Sequence, residues 1–263
     1  MRIKLHFELE NNIIPKDYRI LILSFIKNSL EKNFKESYKE IYESKDKPIM
    51  KFFTFSVYLP KPKIEKDKIE LLGGNYFNAV FSIYDNKRFI EFYNSFNSMI
   101  NREIEEDKEN SYTLKNNKMK LKNITMLNEK IISSNRAIIK FLSPLVLRKH
   151  EERTINEKRK GKDIYLDFND SDFDEQLNYS VSRLIKDLKL NGVNSNIKLE
   201  PCKSARKTVV DFKNVSIHSS IGEFVISGES ELLNILYKTG IGGRRGEGFG
   251  MFEVIKELKS EEV

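Results

Sequence analysis

Twice along this chain of 263 residues, a strand pattern is followed by a helical pattern, further strand patterns, a second helix and a closing strand, less regularly the second time. That order predicts an α+β protein of two tandem ferredoxin-like (RRM-like) domains, each a four-stranded antiparallel sheet with two helices packed on one face. Three observations carry the prediction: the strict alternation of RIKLHFEL at residues 2–9, the helical spacing of apolar residues in DYRILILSFIKNSLEKNF, and the return of the same order from Ala137 onward. A chain of this length can bury two small cores. The expected domains are residues 1–128 and 129–263.

In the first domain, Ile3, Leu5, Phe7 and Leu9 share one strand face, with Arg2, Lys4, His6 and Glu8 on the other. Pro15 is placed at the start of the first helix, where its missing N–H costs little. That helix has a broad apolar face of Ile20, Leu21, Leu23, Ile26 and Leu30. Residues 52–59 are rich in aromatic and β-branched types and read as a strand ended by Pro60 and Pro62. The strand patterns at 69–72 and 76–83 flank Gly73-Gly74-Asn75, which predicts a hairpin. A second helix over residues 87–105 carries Phe89, Phe92, Phe96, Met99 and Ile100 toward the core, and a strand at 119–126 completes the domain.

The second domain starts with a strand at 137–142, bent at Ser143-Pro144 and resumed at 145–147. The segment RKHEERTINEKRKGK that follows holds seven Lys or Arg against three Glu and is expected to be a mobile loop. A helix is predicted within residues 167–190. Its acidic cluster, Asp167, Asp170, Asp172, Asp174 and Glu175, fits capping of the free N–H groups and the positive helix end, and no metal site is expected there. Strands at 196–200, 208–212, 215–217 and 224–227 and a short helix at 229–238 complete the unit.

Lys and Arg number 46 against 39 Asp and Glu, a net charge of +7, which fits a polyanionic partner. The basic residues cluster as Arg148, Lys149 and Arg153, then Lys158, Arg159, Lys160 and Lys162, then Lys203, Arg206 and Lys207, then Arg244 and Arg245. Such clustering predicts a phosphate track. The single cysteine, Cys202, excludes an internal disulfide and a CxxC zinc site and fits a reducing compartment. No leader pattern opens the sequence and no apolar run approaches 18 residues, so a cytoplasmic protein with no membrane span and no cofactor is expected.

The most distinctive stretch is TGIGGRRGEGFGMFEV at residues 239–254, with six of the twelve glycines between 240 and 250. It closes a helix and opens a strand, the reverse of a Walker phosphate loop, and carries Arg244 and Arg245 in place of Gly-Lys-Ser/Thr. Glycines at this density allow positive φ and close backbone approach, and paired guanidinium groups suit phosphate. Gly242, Gly243, Arg244, Arg245, Gly246, Gly248 and Gly250 are therefore candidate contacts for a sugar-phosphate chain, along with Arg148, Lys149, Arg153, Lys203, Arg206 and Lys207, a set that the resemblance given next assigns to RNA binding.

The pattern G-I-G-G-x-x-G-x-G-F-G followed by a strand resembles the glycine-rich loop of the RAMP superfamily of CRISPR-associated proteins, and within it the repeat-RNA endoribonuclease, or "Cas six", family. The order of RIKLHFEL, a helix, KFFTFSVYLP and FLSPLVLRK agrees with that family along nearly the whole chain. The resemblance implies cutting of precursor CRISPR RNA into guide units by metal-independent transesterification, with the ribose 2′-hydroxyl as nucleophile and a 2′,3′-cyclic phosphate as product. CRISPR repeat RNA is then the partner, with CRISPR effector subunits as further partners, for a monomer or homodimer.

The family often places a histidine between the first helix and the second strand, sometimes with a tyrosine and a lysine. Residues 36–51 here contain no histidine. Lys51 falls where the family lysine would and takes its role as phosphate stabiliser, while Lys45 and Ser44 stand near the histidine's usual place and Tyr42 completes the candidate catalytic set. His150 and His218 are the remaining acid or base candidates. Two alternatives stand beside this reading: a non-cleaving RAMP subunit that holds guide RNA in an effector complex, and an RNA-recognition-motif protein with no CRISPR role. Against the second, Glu247 stands where the signature strand has a basic residue and Met251 replaces an aromatic.

Overall fold

The computed structural model describes residues 1–43, 51–100, 117–150 and 163–258. The chain forms two compact units, the first comprising Met1–Glu129 together with Gly246–Gly248, the second Lys130–Arg245 with Phe249–Val263. Each unit holds a four-stranded antiparallel sheet in ferredoxin-like order.

In the first unit the elements run β1 (Arg2–Leu9), β2 (Ile13–Pro15), α1 (Tyr18–Asn33), α2 (Lys35–Tyr38), β3 (Phe53–Tyr58), β4 (Pro62–Ile64), β5 (Lys68–Leu71), β6 (Tyr76–Ile83), α3 (Asn86–Asn97) and β7 (Met119–Leu127). The main sheet has the order β3-β6-β1-β7. The alternation in β1 does what it predicts: Ile3, Leu5, Phe7 and Leu9 are buried under the helices. Helix α1 buries Ile20, Leu21, Ile22, Leu23, Phe25, Ile26 and Leu30, more of its circumference than one stripe, and α3 buries Phe89, Phe92 and Phe96. The rings pack edge to face, tilted or stacked, with Phe7 5.1 Å from Phe25, Phe81 5.0 Å from Phe92 and Phe7 4.9 Å from Phe77. Full burial of one such ring contributes about 1.5–3 kcal/mol, so this cluster dominates the unit's cohesion.

Three local expectations for this unit fail. Pro15 does not open a helix; it ends β2, and α1 starts three residues later. Gly73-Gly74-Asn75 does not join hairpin partners, because β5 pairs with β2 and β4 in a small separate sheet while β6 pairs with β1 and β3. The glycines instead let the chain cross close to β4's approach, where Gly73 N–H donates to Pro60 O at 3.2 Å. The second helix ends at Asn97, eight residues before the expected stop at 105, and residues 101–116 lie outside the described residues.

The second unit runs β8 (Arg136–Phe141), β9 (Leu147–His150), β10 (Asp163–Leu166), α4 (Phe173–Asp187), β11 (Lys198–Pro201), β12 (Arg206–Phe212), β13 (Val215–Ile221), β14 (Glu223–Ser227), α5 (Ser230–Thr239) and β15 (Phe252–Glu257). Its sheet order, β11-β14-β8-β15, repeats that of the first unit. Two hairpins stand apart from it, β9–β10 and β12–β13. The expected loop from Arg148 therefore begins as a strand, with Lys149 opposite Ile164, and residues 151–162 lie outside the described residues.

The acidic cluster before α4 does not cap in the expected way. Asp172 is the N-cap residue yet accepts no capping hydrogen bond and pairs with Lys149. Asp167 and Asp170 close the preceding turn instead, with Asp170 Oδ2 accepting from Asp167 N–H at 2.7 Å and Asp167 Oδ1 from Asn169 N–H at 3.0 Å. Short acidic side chains satisfy local backbone donors in either role, and the turn wins here. No group of three or more potential metal ligands occurs among the described residues.

A side-chain cap of the expected kind occurs at α3, where Asp85 accepts from Lys87 and Arg88 N–H at 2.8 and 3.1 Å. Asp85→Ala should lower the unfolding free energy by about 1 kcal/mol in urea titration, whereas Asp172→Ala, which removes a surface ion pair and an exposed hydrogen bond from Ser171 Oγ, should stay within about 0.5 kcal/mol of wild type.

Candidate functional site

The glycine-rich loop begins where α5 ends at Gly240, whose φ is +76°. Backbone hydrogen bonds then pin it at three points: Gly243 N–H to Val146 O at 2.7 Å, Ile241 N–H to Gly250 O at 2.9 Å and Gly250 N–H to Pro144 O at 2.8 Å. Gly242 lies against the same Val146 carbonyl. These contacts make residues 240–243 and 250 a fixed frame within the second unit. They explain why glycine is wanted there without invoking a ligand.

Residues 246–248 cluster with the first unit, and there the loop meets the candidate catalytic set. A Cβ on Gly246 would stand 2.5 Å from Lys51 Cδ and 2.9 Å from Lys51 Cβ, so the lysine stem lies flat on bare backbone. Gly248, at φ +86°, lies against the ring of buried Phe55, where a Cβ would come within 2.5 Å of Cε2. Arg19 from α1 fixes the same peptide through Nε to Gly248 O at 3.3 Å.

The Lys51 ammonium sits 4.3 Å from the centre of the Tyr42 ring. Lys27 of α1 brings a second ammonium to that ring at 5.1 Å, and Tyr38 lies 5.3 Å away. Lys27 is a residue that the sequence reasoning missed. Its helical position one residue past Ile26 gave no signal separate from an ordinary solvated lysine. The Tyr42 hydroxyl is buried and has no hydrogen-bond partner among the described residues. Burial, with a smaller contribution from Tyr38, pushes the phenol well above its ordinary 10.0. Tyr42 therefore keeps its proton across the neutral range and is a weaker acid than an ordinary phenol. Ser44 and Lys45 lie outside the described residues, as do Arg153, Lys158, Arg159, Lys160 and Lys162.

The two loop arginines part company. Arg245, expected at the loop surface, is 5 % exposed, and burial pushes its guanidinium down to about 10, opposed by Asp187. It remains charged at neutral pH but is not presented to solvent as half of a paired fork. Arg244 is half-buried at φ +54°, with Nη2 and Nε donating to the Tyr165 hydroxyl at 2.6 and 3.2 Å and its guanidinium 6.0 Å from the Phe212 ring centre. Phe249 and Phe252 are fully buried, which removes them as stacking surfaces.

The other expected phosphate contacts divide in the same way. Lys149 pairs with Asp172, whose hydrogen bond holds the ammonium above its ordinary range. Lys207 lies 3.2 Å from Asp167 Oδ2. Burial pushes the Asp167 carboxyl up, yet the Asn169 N–H and Lys207 together bring it below the ordinary value. Arg148 lies 3.2 Å from Asp163 Oδ2. Lys203 and Arg206 are exposed at the entry to β12. His218, one of the remaining acid or base candidates, is exposed on β13, and His6 is half-buried on β1 with Nδ1 2.9 Å from Asn78 Oδ1.

The chain is similar to known proteins. Residues 127–254 match the family model described as CRISPR associated protein Cas6, C-terminal. Among solved structures, a Cas6-related protein of Pyrococcus furiosus superposes with a TM-score of 0.81 at 22 % identity, covering 98 % of this chain and 99 % of its own. A RAMP protein described as binding different RNA substrates gives 0.79 at 21 % identity, over 97 % of this chain and 100 % of its own. A CRISPR associated protein Cas6 gives 0.70 at 21 % identity, over 97 % and 99 %. At these identities the likeness is one of fold, and no curated sequence matches the chain significantly. Residues 127–254 thus match the C-terminal part of Cas6, and the whole chain shares its fold with solved Cas6-related and RAMP proteins.

Proposed function

We propose that this protein binds CRISPR repeat RNA and cuts the precursor into guide units without a metal ion. The first unit, which includes Gly246–Gly248, would supply the reacting groups. One observation carries the reading: Lys51 lies against Gly246 of the glycine loop with its ammonium over the Tyr42 ring. A cation, a protonated phenol and close-packed backbone meet in one place, and the positive charge there attracts phosphate.

In the reaction the ribose 2′-oxygen attacks the adjacent phosphorus, the bond from phosphorus to the 5′-oxygen breaks, and the products are a 2′,3′-cyclic phosphate and a 5′-hydroxyl end. Charge builds on the non-bridging oxygens of the phosphorane, where Lys51 stabilises it. The leaving 5′-oxygen needs a proton, and Tyr42 holds one across the neutral range. The general base is unassigned. With no histidine in residues 36–51, charge and in-line positioning carry most of the rate.

The test is incubation of the purified protein in EDTA with the repeat RNA of its neighbouring CRISPR array, read as a single discrete cut ending in a cyclic phosphate. Tight binding without a cut transfers the protein to the guide-holding RAMP subunits. Lys51→Ala should slow single-turnover cleavage by roughly 10- to 1,000-fold and leave repeat affinity within a few-fold. Tyr42→Phe should separate chemistry from stability: cleavage falls by about 100-fold or more, while the melting temperature holds or rises, because the variant removes a buried hydroxyl that lacks a partner among the described residues. Gly246→Ala should leave the protein folded but displace the Lys51 stem, so its rate should fall toward that of Lys51→Ala.

A further inference from the structure

The face of the first sheet turned away from α1 and α3 carries side chains that the site above leaves unused. At one end of this face Arg2, Thr54 and Ser82 lie in one cross-strand row and are buried. Two rows along, the face opens, with Tyr58 60 % exposed. There Tyr58 of β3 and His6 of β1 flank Asn78 of β6 in register, and Tyr76 follows on the same face of β6, opposite Glu8. The His6 and Tyr76 rings are 5.4 Å apart, and His6 is held by its contact with Asn78 Oδ1 at 2.9 Å.

The hydrophobic core gives no reason for these rings. The core aromatics of the same strands, Phe7, Phe55, Phe77 and Phe81, all point to the opposite face. Two tyrosines and a histidine within cross-strand reach on the outer face instead form an aromatic surface with polar edges. The charges around them are mainly positive: Lys4 and Lys120 share the face, and Lys122 stands 3.5 Å from Glu8, the acid in the register rows described here. Flat rings beside cations suit an unpaired nucleotide, whose base offers a π-face and whose phosphate is anionic. Bases within a duplex are already stacked and present no such face.

We infer that this face is a second RNA site, distinct from the glycine loop, which stacks one or two unpaired bases of a single-stranded segment on Tyr58 and Tyr76. His6 and Asn78 meet the base edges, and Lys4 and Lys120 lie beside the backbone. The inference rests on the RNA-binding reading above but not on cleavage.

The probe is a fluorescein-labelled ten-nucleotide oligouridylate, titrated by anisotropy against the full-length protein, with cleavage of repeat RNA followed separately. Tyr58→Ala and Tyr76→Ala should each weaken oligouridylate binding by about 5- to 100-fold. The slope of log K against log salt should not change, because no phosphate contact is lost. Tyr58→Phe and Tyr76→Phe should bind as wild type, and single-turnover cleavage at saturating protein should stay within about two-fold in all four variants. Unchanged oligouridylate affinity in the alanine variants overturns the inference, as does an equal loss in the phenylalanine variants. If the alanine variants keep their RNA affinity but lose a self-association that sedimentation detects in wild type, the face is a protein interface and the RNA site is wrong. A protein that holds oligouridylate through the tyrosines yet never cuts repeat RNA keeps this inference and loses the endoribonuclease reading.

Discussion

The arrangement depends on a close approach that only a missing side chain permits. At Gly246 the backbone comes near enough to Lys51 that a single added carbon would overlap its stem, and at Gly248 it meets the Phe55 ring. Lysine is the most mobile of the common cations, and holding its stem against a peptide plane removes rotamer freedom before any substrate arrives. Preorganised charge of this kind contributes more to a transition state than the same charge on a free surface arm. The glycines therefore matter less for contacts of their own than for what they allow to stand beside them.

Electrostatics narrow the reactive surface further. The net charge of +7 invites a picture of a broadly basic molecule, yet Lys149, Lys207 and Arg148 each stand beside a carboxylate, and Arg245 lies in the interior. Charges paired at close range cancel beyond about a Debye length of 8–10 Å. What an approaching polyanion feels is set by the cations without an acid beside them, not by the sum over the sequence. The same reasoning separates Tyr42 from an ordinary tyrosine: two ammonium groups share its ring while its hydroxyl is kept from water, so it combines a cation-binding face with a retained proton.

The global order was legible because it rests on periodicity, which is a property of the chain. Alternation in residues 2–9 and helical spacing through Ile20 and Phe92 survive any tertiary context, and both four-stranded sheets follow from them. Pairing partners were not legible, since they depend on what else competes for an edge. Gly73-Gly74-Asn75 has hairpin composition, but β1 takes β6 and the shorter β2 and β4 take β5. Acidic side chains before α4 were likewise ambiguous, because a cap and a turn ask for the same residues. Around the candidate site, Lys51 was singled out only by the resemblance, and the structure sets its stem against Gly246. Lys27 was not legible, because two residues on different elements converge only after folding. The burial of Arg245 was hidden for the opposite reason: adjacency in sequence implied a shared exposure that the turn at Arg244 breaks.

The small sheet β2-β5-β4 has a consequence for how the protein behaves at high concentration. Both of its outer strands are three residues long and each contains a proline, Pro15 in β2 and Pro62 in β4. Proline has no N–H to offer a neighbouring strand, and so short a run gives an incoming chain little to register against. The protein thus carries an extra sheet without the open, ladder-ready margin that seeds aggregation when partly folded molecules collide.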